Sequence, residues 1–162
     1  MGLAPAAGVR VAVPAPGRPR LLPPVVAALL LAASAALHFA FPEMPRWRAP
    51  VAGGVLVVAG IGTMLWAARL FGREGTTGLP HGTPSRLVVS GPYRFSRNPM
   101  YLGISTALLG IGLFAGTPPF FASAAIFPLW MNARFIPMEE RNLEAAIGDD
   151  YRSYRSRVRR WL

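Results

Sequence analysis

The 162-residue sequence contains no cysteine and no lysine, and only seven of its residues are acidic. Without cysteine, neither a disulfide framework nor a thiolate metal site can form. The two histidines, His38 and His81, are too far apart in sequence to suggest a metal cluster, so we expect no metal. Because lysine is missing, seventeen arginines supply all of the basic charge, and the formal net charge is +10.

Apolar residues, in contrast, are abundant. The chain is 52% hydrophobic and 15% charged, and its mean hydropathy is +0.37. An average soluble domain carries about 25% charged residues. The composition therefore indicates a membrane protein.

Four apolar runs predict membrane helices, because a hydrocarbon core of about 30 Å needs roughly 17 to 25 helical residues. Each run must satisfy its own backbone hydrogen bonds in lipid, which favours helix despite the glycines and prolines. We expect an all-α polytopic protein in which the third and fourth helices form a hairpin around Thr117, Pro118 and Pro119. Pro128 should kink the fourth helix. The predicted helices cover residues 21–41, 50–71, 100–116 and 119–138.

The arginines are unevenly distributed between these helices. They precede the first helix, recur between the second and third, and follow the fourth, whereas only Arg46 and Arg48 lie between the first and second. With four crossings, the positive-inside rule places both termini and segment 72–99 in the cytoplasm, at a bacterial inner membrane. A signal peptide cut near "AASAA" is the alternative interpretation of the first run.

The sequence divides into a leader and one membrane domain. Residues 1–20, rich in Ala, Pro and Arg, predict a disordered cytoplasmic leader, and residues 21–162 predict a single domain. Segment 72–99 is rich in Gly, Pro, Ser and Thr and has no helical periodicity. Loops of this length are usually functional or disordered, and the specific composition near its end favours function.

Segment 139–162 combines an apolar stripe with many arginines. Its apolar residues recur every three or four positions with arginines between them, which is typical of an amphipathic helix on a membrane surface. Charge alone would also allow nucleic acid, but the apolar stripe suits lipid better, so we expect membrane lipids and no nucleic acid as partners. The stripe consists of Ile147, Tyr151, Tyr154, Val158 and Trp161.

Two adjacent glutamates, Glu139 and Glu140, stand where the fourth predicted helix leaves the bilayer. Neighbouring helical residues point about 100° apart, so only one of the two carboxylates can readily face the interior of the bundle. That carboxylate is a candidate ligand group. The alternative is that both glutamates are solvated residues at the membrane boundary, paired with Arg134 or Arg141.

Two motifs in the second half of the chain resemble a known family. The stretches "LVVSGPYRFSRNPMYLG" (87–103) and "EERNLEAAIGDDYRSYRSRV" (139–158) are similar to those of isoprenylcysteine carboxyl methyltransferases and the related phospholipid methyltransferases. The family pattern is Arg-His-Pro-x-Tyr-x-Gly, a hydrophobic helix, and then Glu-Glu. Asn98 stands in place of the histidine, and asparagine cannot titrate. The resemblance implies a small helical membrane enzyme that uses S-adenosylmethionine.

The resemblance also implies roles for individual residues. The ammonium of the cofactor suits Glu139, its carboxylate suits backbone N–H groups and Asn98, and its sulfonium suits tyrosine faces. Arg134 and Arg157 correspond to residues that meet the acceptor, and an amine or thiol acceptor needs a base, for which Glu140 or a tyrosine is available. The implied cofactor site consists of Ser85, Arg86, Leu87, Val88, Tyr93, Asn98, Pro99, Met100, Tyr101, Gly103 and Glu139.

Two classes of function therefore remain open. The first is methyl transfer to a lipid-like or hydrophobic acceptor, whose reacting group is a carboxylate, an amine or a thiol. The second is a non-enzymatic membrane protein whose arginine-rich tail binds anionic lipid or an acidic partner. In the second class, Tyr93 and Tyr101 are aromatic residues of the membrane interface.

Overall fold

The computed structural model describes residues 22–73 and 87–162, and in these two ranges the secondary structure is helical, without a β-strand. The predicted all-α class is confirmed there. The predicted leader and residues 74–86 of the central segment lie outside the described residues. The α-helices within the two ranges are α1 (Pro23–Ala40), α2 (Pro50–Arg73), α3 (Pro99–Ala115), α4 (Pro118–Trp130), α5 (Ile136–Ile147) and α6 (Asp149–Arg157).

Two of these helices, α1 and α2, are long and apolar enough to cross a membrane. They agree with the first two predicted helices to within two residues at each end. α3 is an apolar helix of 17 residues, and α4 has 13. Of the four predicted spans, two are therefore candidates by length, and the other two form a shorter helical hairpin that turns at Gly116 and Thr117.

The fourth helix does not end at residue 138, and the prediction was wrong on this point. A π-helical turn, Met131–Phe135, follows α4, and α5 then continues past the glutamates to Ile147. Pro128 inside α4 lacks the N–H that would bond the preceding turn, and the π-turn follows three residues later. Gly148, at φ +67°, ends α5 before α6, so the predicted amphipathic segment is two helices.

Glycines bring α2 and α3 into backbone contact. A Cβ atom on Gly60 would lie 2.5 Å from the carbonyl oxygen of Gly103, and one on Gly110 would lie 2.6 Å from the carbonyl oxygen of Gly53. The two glycines of each helix are seven residues apart, so they occupy the same face of an antiparallel pair. Close backbone approach of this kind stabilises helix pairs in lipid, where the solvent is as apolar as the side chains.

Hydroxyl groups join α1 to α4 at the other side of the bundle. Ser34 Oγ donates to the carbonyl oxygen of Pro119 at 2.8 Å and lies 2.6 Å from Ser123 Oγ. His38 Nδ1 lies 3.1 Å from Thr117 Oγ1. His38 is therefore a packed, hydrogen-bonded residue near the hairpin turn.

The α1–α2 connection and the hairpin turn lie at one end of the bundle. The N–H of Trp47 donates to the carbonyl oxygen of Gly116 at 2.8 Å, and the N–H of Ala49 donates to that of Leu113 at 2.9 Å. The start of α3, the end of α2 and the start of α5 therefore lie together at the opposite end, where most arginines of the sequence are found.

The apolar stripe of segment 139–162 packs on the protein at its two tyrosines, whereas the prediction had this face in contact with lipid. Tyr151 and Tyr154 are 1% and 5% exposed, and Tyr154 Oη donates to the carbonyl oxygen of Tyr93 at 2.7 Å. The periodicity identified an apolar face correctly, but the segment before α3 covers that face. This segment contains a short 3₁₀ turn, Gly91–Arg94.

Residues 158–162, here termed the return segment, run back along the start of α3. The N–H of Arg97 donates to the carbonyl oxygen of Arg159 at 2.9 Å, and Asn98 Nδ2 donates to that of Arg160 at 3.0 Å. The Arg160 guanidinium donates to both oxygens of the Glu140 carboxylate, from Nε at 3.2 Å and from Nη2 at 2.6 Å. Its Nη1 donates to Asn132 Oδ1 at 3.0 Å. The return segment is thus fixed to the loop and to α5.

We expect Gly60→Ala to destabilise the protein by about 1–3 kcal/mol, because the added methyl would collide with the backbone of α3. Gly54→Ala is the matched control, since nothing lies within 4 Å of its Cβ position and alanine is the better helix former. Thermal unfolding of the two variants in detergent measures the difference. Equal stability losses in both variants would contradict the backbone contact.

Arg160→Met should lower the free energy of unfolding by about 1.5–3 kcal/mol, the usual contribution of a hydrogen-bonded charged group. Arg159→Met is the control, because the Arg159 side chain is exposed and only its backbone carbonyl contacts the loop. Denaturant titration in detergent compares the two variants. An Arg160→Met protein as stable as Arg159→Met would show that the return segment is held by its backbone alone.

Candidate active site

A tyrosine of α3 and a glutamate of α5 meet at the arginine-rich end of the bundle. Tyr101 Oη donates to Glu139 Oε1 at 2.7 Å. Pro99 occupies the first position of α3, where no N–H is needed, and so sets Tyr101 in the first helical turn. Tyr101 is 9% exposed and Glu139 is half-buried. Two residues of the implied cofactor site are therefore in direct contact.

The environment of Glu139 opposes its ionisation. Burial raises the pKa of the Glu139 carboxyl above its ordinary value, and the neighbouring Glu140 carboxylate adds to the rise, while the hydrogen bond from Tyr101 acts against it. A buried carboxylate with one hydrogen-bond donor is stabilised by a cation. Glu139 is thus suited to bind a positively charged group.

Tyr93 forms a second aromatic wall near this pair. It is 6% exposed and packs edge-on against Phe71 of α2, with ring centroids 5.4 Å apart. Burial raises the pKa of Tyr93, and Tyr154 and Glu139 raise it further, so the phenol is neutral. Tyr93 and Tyr101 are both buried in the protein, which does not fit aromatic residues of the membrane interface.

Other residues of the loop support Tyr93. Val88 is 5% exposed and lies in one cluster with Ala67, Leu70 and Tyr93, and Met100 packs against this cluster. Leu87 is half-buried beside Val88. These side chains close the space between α2 and the loop.

Gly103 has a packing role in this structure. Its Cβ position lies 2.6 Å from the carbonyl oxygen of Gly60 and 2.8 Å from the backbone nitrogen of Met64. The close approach expected from this glycine is therefore made by α2. Its implied contact with the cofactor stays a prediction.

Glu140 points to different partners from those of Glu139, as the angle between adjacent helical residues predicts. Its carboxylate is 3.0 Å from Arg97 Nη2 and 2.6 Å from Arg160 Nη2. Glu140 is 7% exposed. The alternative of two solvated glutamates paired with Arg134 or Arg141 is therefore wrong for this residue.

Arg97 carries buried donors that have no acceptor. Its side chain is 10% exposed, and its Nε and Nη1 atoms lack a hydrogen-bond partner among the described residues. Two guanidinium groups share the single carboxylate of Glu140, which leaves an excess positive charge in a buried place. Buried donors of this kind are normally satisfied, so an anionic group is the natural complement.

Asn98, the departure from the family pattern, faces the return segment. Its side chain donates to the carbonyl oxygen of Arg160, as described above, and its own N–H donates to Ser96 Oγ at 3.1 Å. An amide donor is sufficient for this contact, and no titration is needed. The substitution of histidine by asparagine is thus compatible with an ordered loop.

The remaining residues of the implied site are not gathered here. Arg134 and Arg157 are exposed, and Arg157 Nε donates to the carbonyl oxygen of Ser153 in its own helix. Ser85 and Arg86 lie outside the described residues. Within the described part of the chain, no group of three His, Asp or Glu side chains is placed to hold a metal ion. The roles of the four residues stay predictions.

Sequence reasoning missed three contributors to this site. Arg97 occupies the arginine position of the Arg-His-Pro-x-Tyr-x-Gly pattern, but an arginine at this place also fits the positive-inside rule. Arg160 is one of five arginines within residues 151–162, and no pattern distinguishes it from the others. Asn132 is a polar residue within an apolar run, and this exception was the one indication in the sequence that its side chain has a polar partner.

Comparison with known proteins gives a family for this arrangement. A family model described as phospholipid methyltransferase matches residues 49–150, which include Arg97, Tyr101, Glu139 and Glu140. An uncharacterized protein of Haemophilus influenzae is 41% identical over 63 residues, which are 39% of this chain and the full length of that protein. No solved structure matches the chain. The match over more than half of the sequence confirms the resemblance carried by the two motifs, and the chain belongs to the phospholipid methyltransferase family.

Proposed function

We propose that the protein transfers a methyl group from S-adenosylmethionine to a lipid-like acceptor at the cytoplasmic surface of the inner membrane. Family membership supports methyltransferase activity on a lipid-like substrate. The observation that carries the proposal is the hydrogen bond between Tyr101 and Glu139, which joins α5 to the start of the apolar helix α3. The carboxylate there has the environment of a cation ligand.

The side chains around this pair suit S-adenosylmethionine. Bound in this site, the cofactor supplies a methyl group that its sulfonium has already activated. Glu139 suits the ammonium of its amino-acid end, and the unpartnered donors of Arg97 suit the carboxylate. The rings of Tyr93 and Tyr101 suit the sulfonium, a contact worth about 0.5–2 kcal/mol.

Alignment and exclusion of water account for most of the catalytic task in this proposal. Holding two reactants in line contributes roughly 7–11 kcal/mol to lowering a barrier. Glu140 is a weak candidate for a general base, because its oxygens already accept from Arg97 and Arg160. We therefore assign Glu140 an anchoring role and expect an acceptor that enters the site already deprotonated.

The proposed membrane arrangement has four crossings, with the α3–α4 hairpin completing those of α1 and α2. The arginine distribution supports a cytoplasmic location for the end that holds Tyr101 and Glu139. Arg46 and Arg48 belong to the opposite end, beside the hairpin turn. A lipid-like acceptor then arrives from the bilayer and the polar cofactor from the cytoplasm.

The non-enzymatic alternative has less support. Arg152 lies 2.9 Å from a Glu144 carboxylate oxygen, Arg155 lies 3.5 Å from the other, and Arg160 binds Glu140. These pairs neutralise part of the positive charge that would attract anionic lipid or an acidic partner. The family match also points to the enzyme.

The direct test is calorimetric titration of the purified protein with S-adenosylmethionine in detergent. We expect Glu139→Gln to weaken binding at least tenfold, because about 1.5–3 kcal/mol is lost when a charged hydrogen-bond partner is removed. Tyr101→Ala should weaken binding as well. Glu144→Gln is the control, since Glu144 lies on the same helix but pairs with surface arginines. A wild-type protein that does not bind would overturn the proposal.

The pH dependence of binding gives an independent test. Because the pKa of Glu139 is raised in the free protein, an ammonium ligand must displace a proton at low pH. Affinity should therefore rise with pH until the free carboxyl is ionised, and then level off. Calorimetry in buffers of different ionisation enthalpy should record the released proton. An affinity that falls with pH, or the same slope in Glu139→Gln, would contradict the assignment.

The acceptor is identified by incubating the protein with radiolabelled S-adenosylmethionine and a total membrane lipid extract. Labelled products are then separated and analysed by mass spectrometry. A labelled lipid that is absent with Glu139→Gln supports the proposal. Binding without any labelled lipid would favour a non-lipid acceptor.

A further inference from the structure

A groove of about 320 Å³ lies on the outer face of the α3–α4 hairpin. This volume is at the lower end of the range of about 300–1,000 Å³ found for small-molecule sites. Leu109 and Ala125 are exposed there, so the groove opens to the surroundings of the bundle. Its lining residues are Ser105, Thr106, Leu109, Phe121, Ala124 and Ala125.

The two hydroxyl groups in the groove are not free to donate to a ligand. Ser105 Oγ donates to the carbonyl oxygen of Tyr101 at 2.8 Å, and Thr106 Oγ1 donates to that of Leu102 at 2.9 Å. Both protons are therefore used within α3. The groove presents mostly hydrocarbon surface, which suits an alkyl chain and offers no donor to a polar headgroup.

The groove begins one helical turn from Tyr101 along α3, on the side of the hairpin turn. Ser105 is one helical turn beyond Tyr101 on α3, and Leu109 is two turns beyond it, which correspond to about 6 and 12 Å along the helix axis. Because α4 is antiparallel to α3, its residues in the groove also lie on the side of Glu139 that is nearer the hairpin turn. A chain in the groove would therefore point away from the candidate active site and into the bilayer.

One large side chain bounds the far end of the groove. The Phe121 ring packs over Gly112, whose Cβ position lies 3.2 Å from Phe121 Cδ1. Ala124 and Ala125, by contrast, leave space opposite Ser105 and Thr106. The Phe121 ring thus limits the groove on the side of the hairpin turn.

We propose that this groove holds the hydrocarbon chain of the methyl acceptor, with the reacting end of the acceptor beside Tyr101. The inference rests on the proposed function and adds that a single alkyl or isoprenoid chain is recognised by α3 and α4. Phe121 limits the length of the accepted chain. Boundary lipid that takes no part in the reaction is the competing occupant.

The absence of cysteine allows the groove to be filled selectively. The Ala124→Cys variant is treated with decyl methanethiosulfonate, which attaches a ten-carbon chain, or with the methyl reagent as a size control. We expect the decyl group to lower methylation of the lipid extract about tenfold or more, since even one methylene alters discrimination by 10–200-fold in apolar pockets. S-adenosylmethionine affinity should stay unchanged. Val58→Cys is the positional control, because Val58 is 73% exposed on α2.

Chain-length selection gives a second readout. Phe121→Ala should shift the methylated products toward longer chains, and Ala124→Leu should shift them toward shorter ones, as measured by mass spectrometry of the lipid products. Unchanged product profiles in both variants, together with full activity of the decylated Ala124→Cys protein, would overturn the inference.

Photocrosslinking separates failure of the groove from failure of the proposed function. Palmitate that carries a terminal diazirine is irradiated with the wild-type protein, and labelled peptides are mapped. Labelling within 105–109 or 121–125 that Ala124→Leu removes supports the groove, even if no methylation is detected. Labelling confined to the outer faces of α1 and α2 would show that the groove holds no chain.

Discussion

The buried carboxylate of Glu140 is the constraint on which the candidate active site depends. It binds Arg97 from the loop and Arg160 from the return segment, and so joins both to α5. A buried charge is strongly destabilising without partners, so the three segments are ordered together or not at all. Because Glu140 is held in this direction, the adjacent Glu139 is directed about 100° away, toward α3 and Tyr101. The residue proposed to bind the cofactor is therefore positioned by its neighbour.

The scaffold beneath this site is held by contacts of a different kind. In lipid, apolar side chains gain little by leaving the solvent, so helices associate through close packing and hydrogen bonds. α2 and α3 meet through glycine backbones, and α1 and α4 meet through Ser34 and Ser123. Rigid packing in the apolar part contrasts with the ion pairs and tyrosines at the arginine-rich end.

Much of this fold was predictable from the sequence, because apolar runs report directly on helices. The bounds of α1, α2 and α3 follow the runs closely, and the turn at Gly116 and Thr117 follows from the local glycine and prolines. The end of the fourth helix was not predictable in this way. The apolar run ends at Glu139, and the prediction placed the end of the helix there. The backbone nevertheless continues as a helix to Ile147.

The candidate site was predictable only in part. Family motifs identified Tyr101 and Glu139, and the angle between adjacent glutamates predicted that they diverge. Periodicity predicts that a helix has an apolar face, but which part of the protein covers that face depends on the tertiary structure. The burial of Tyr151 and Tyr154 was therefore not predictable from the sequence. Arg160 was missed for the same reason, since its partner is 20 residues away in sequence.

The return segment has a consequence for biogenesis. Asn98 and the backbone of Arg160 are 62 residues apart in sequence, and both helices of the hairpin lie between them. A ribosome therefore synthesises the loop and both helices of the hairpin before the residues that cover the loop. During this interval Arg97 lacks Arg159 and Glu140 lacks Arg160. The candidate active site is thus completed only after both helices of the hairpin have been synthesised.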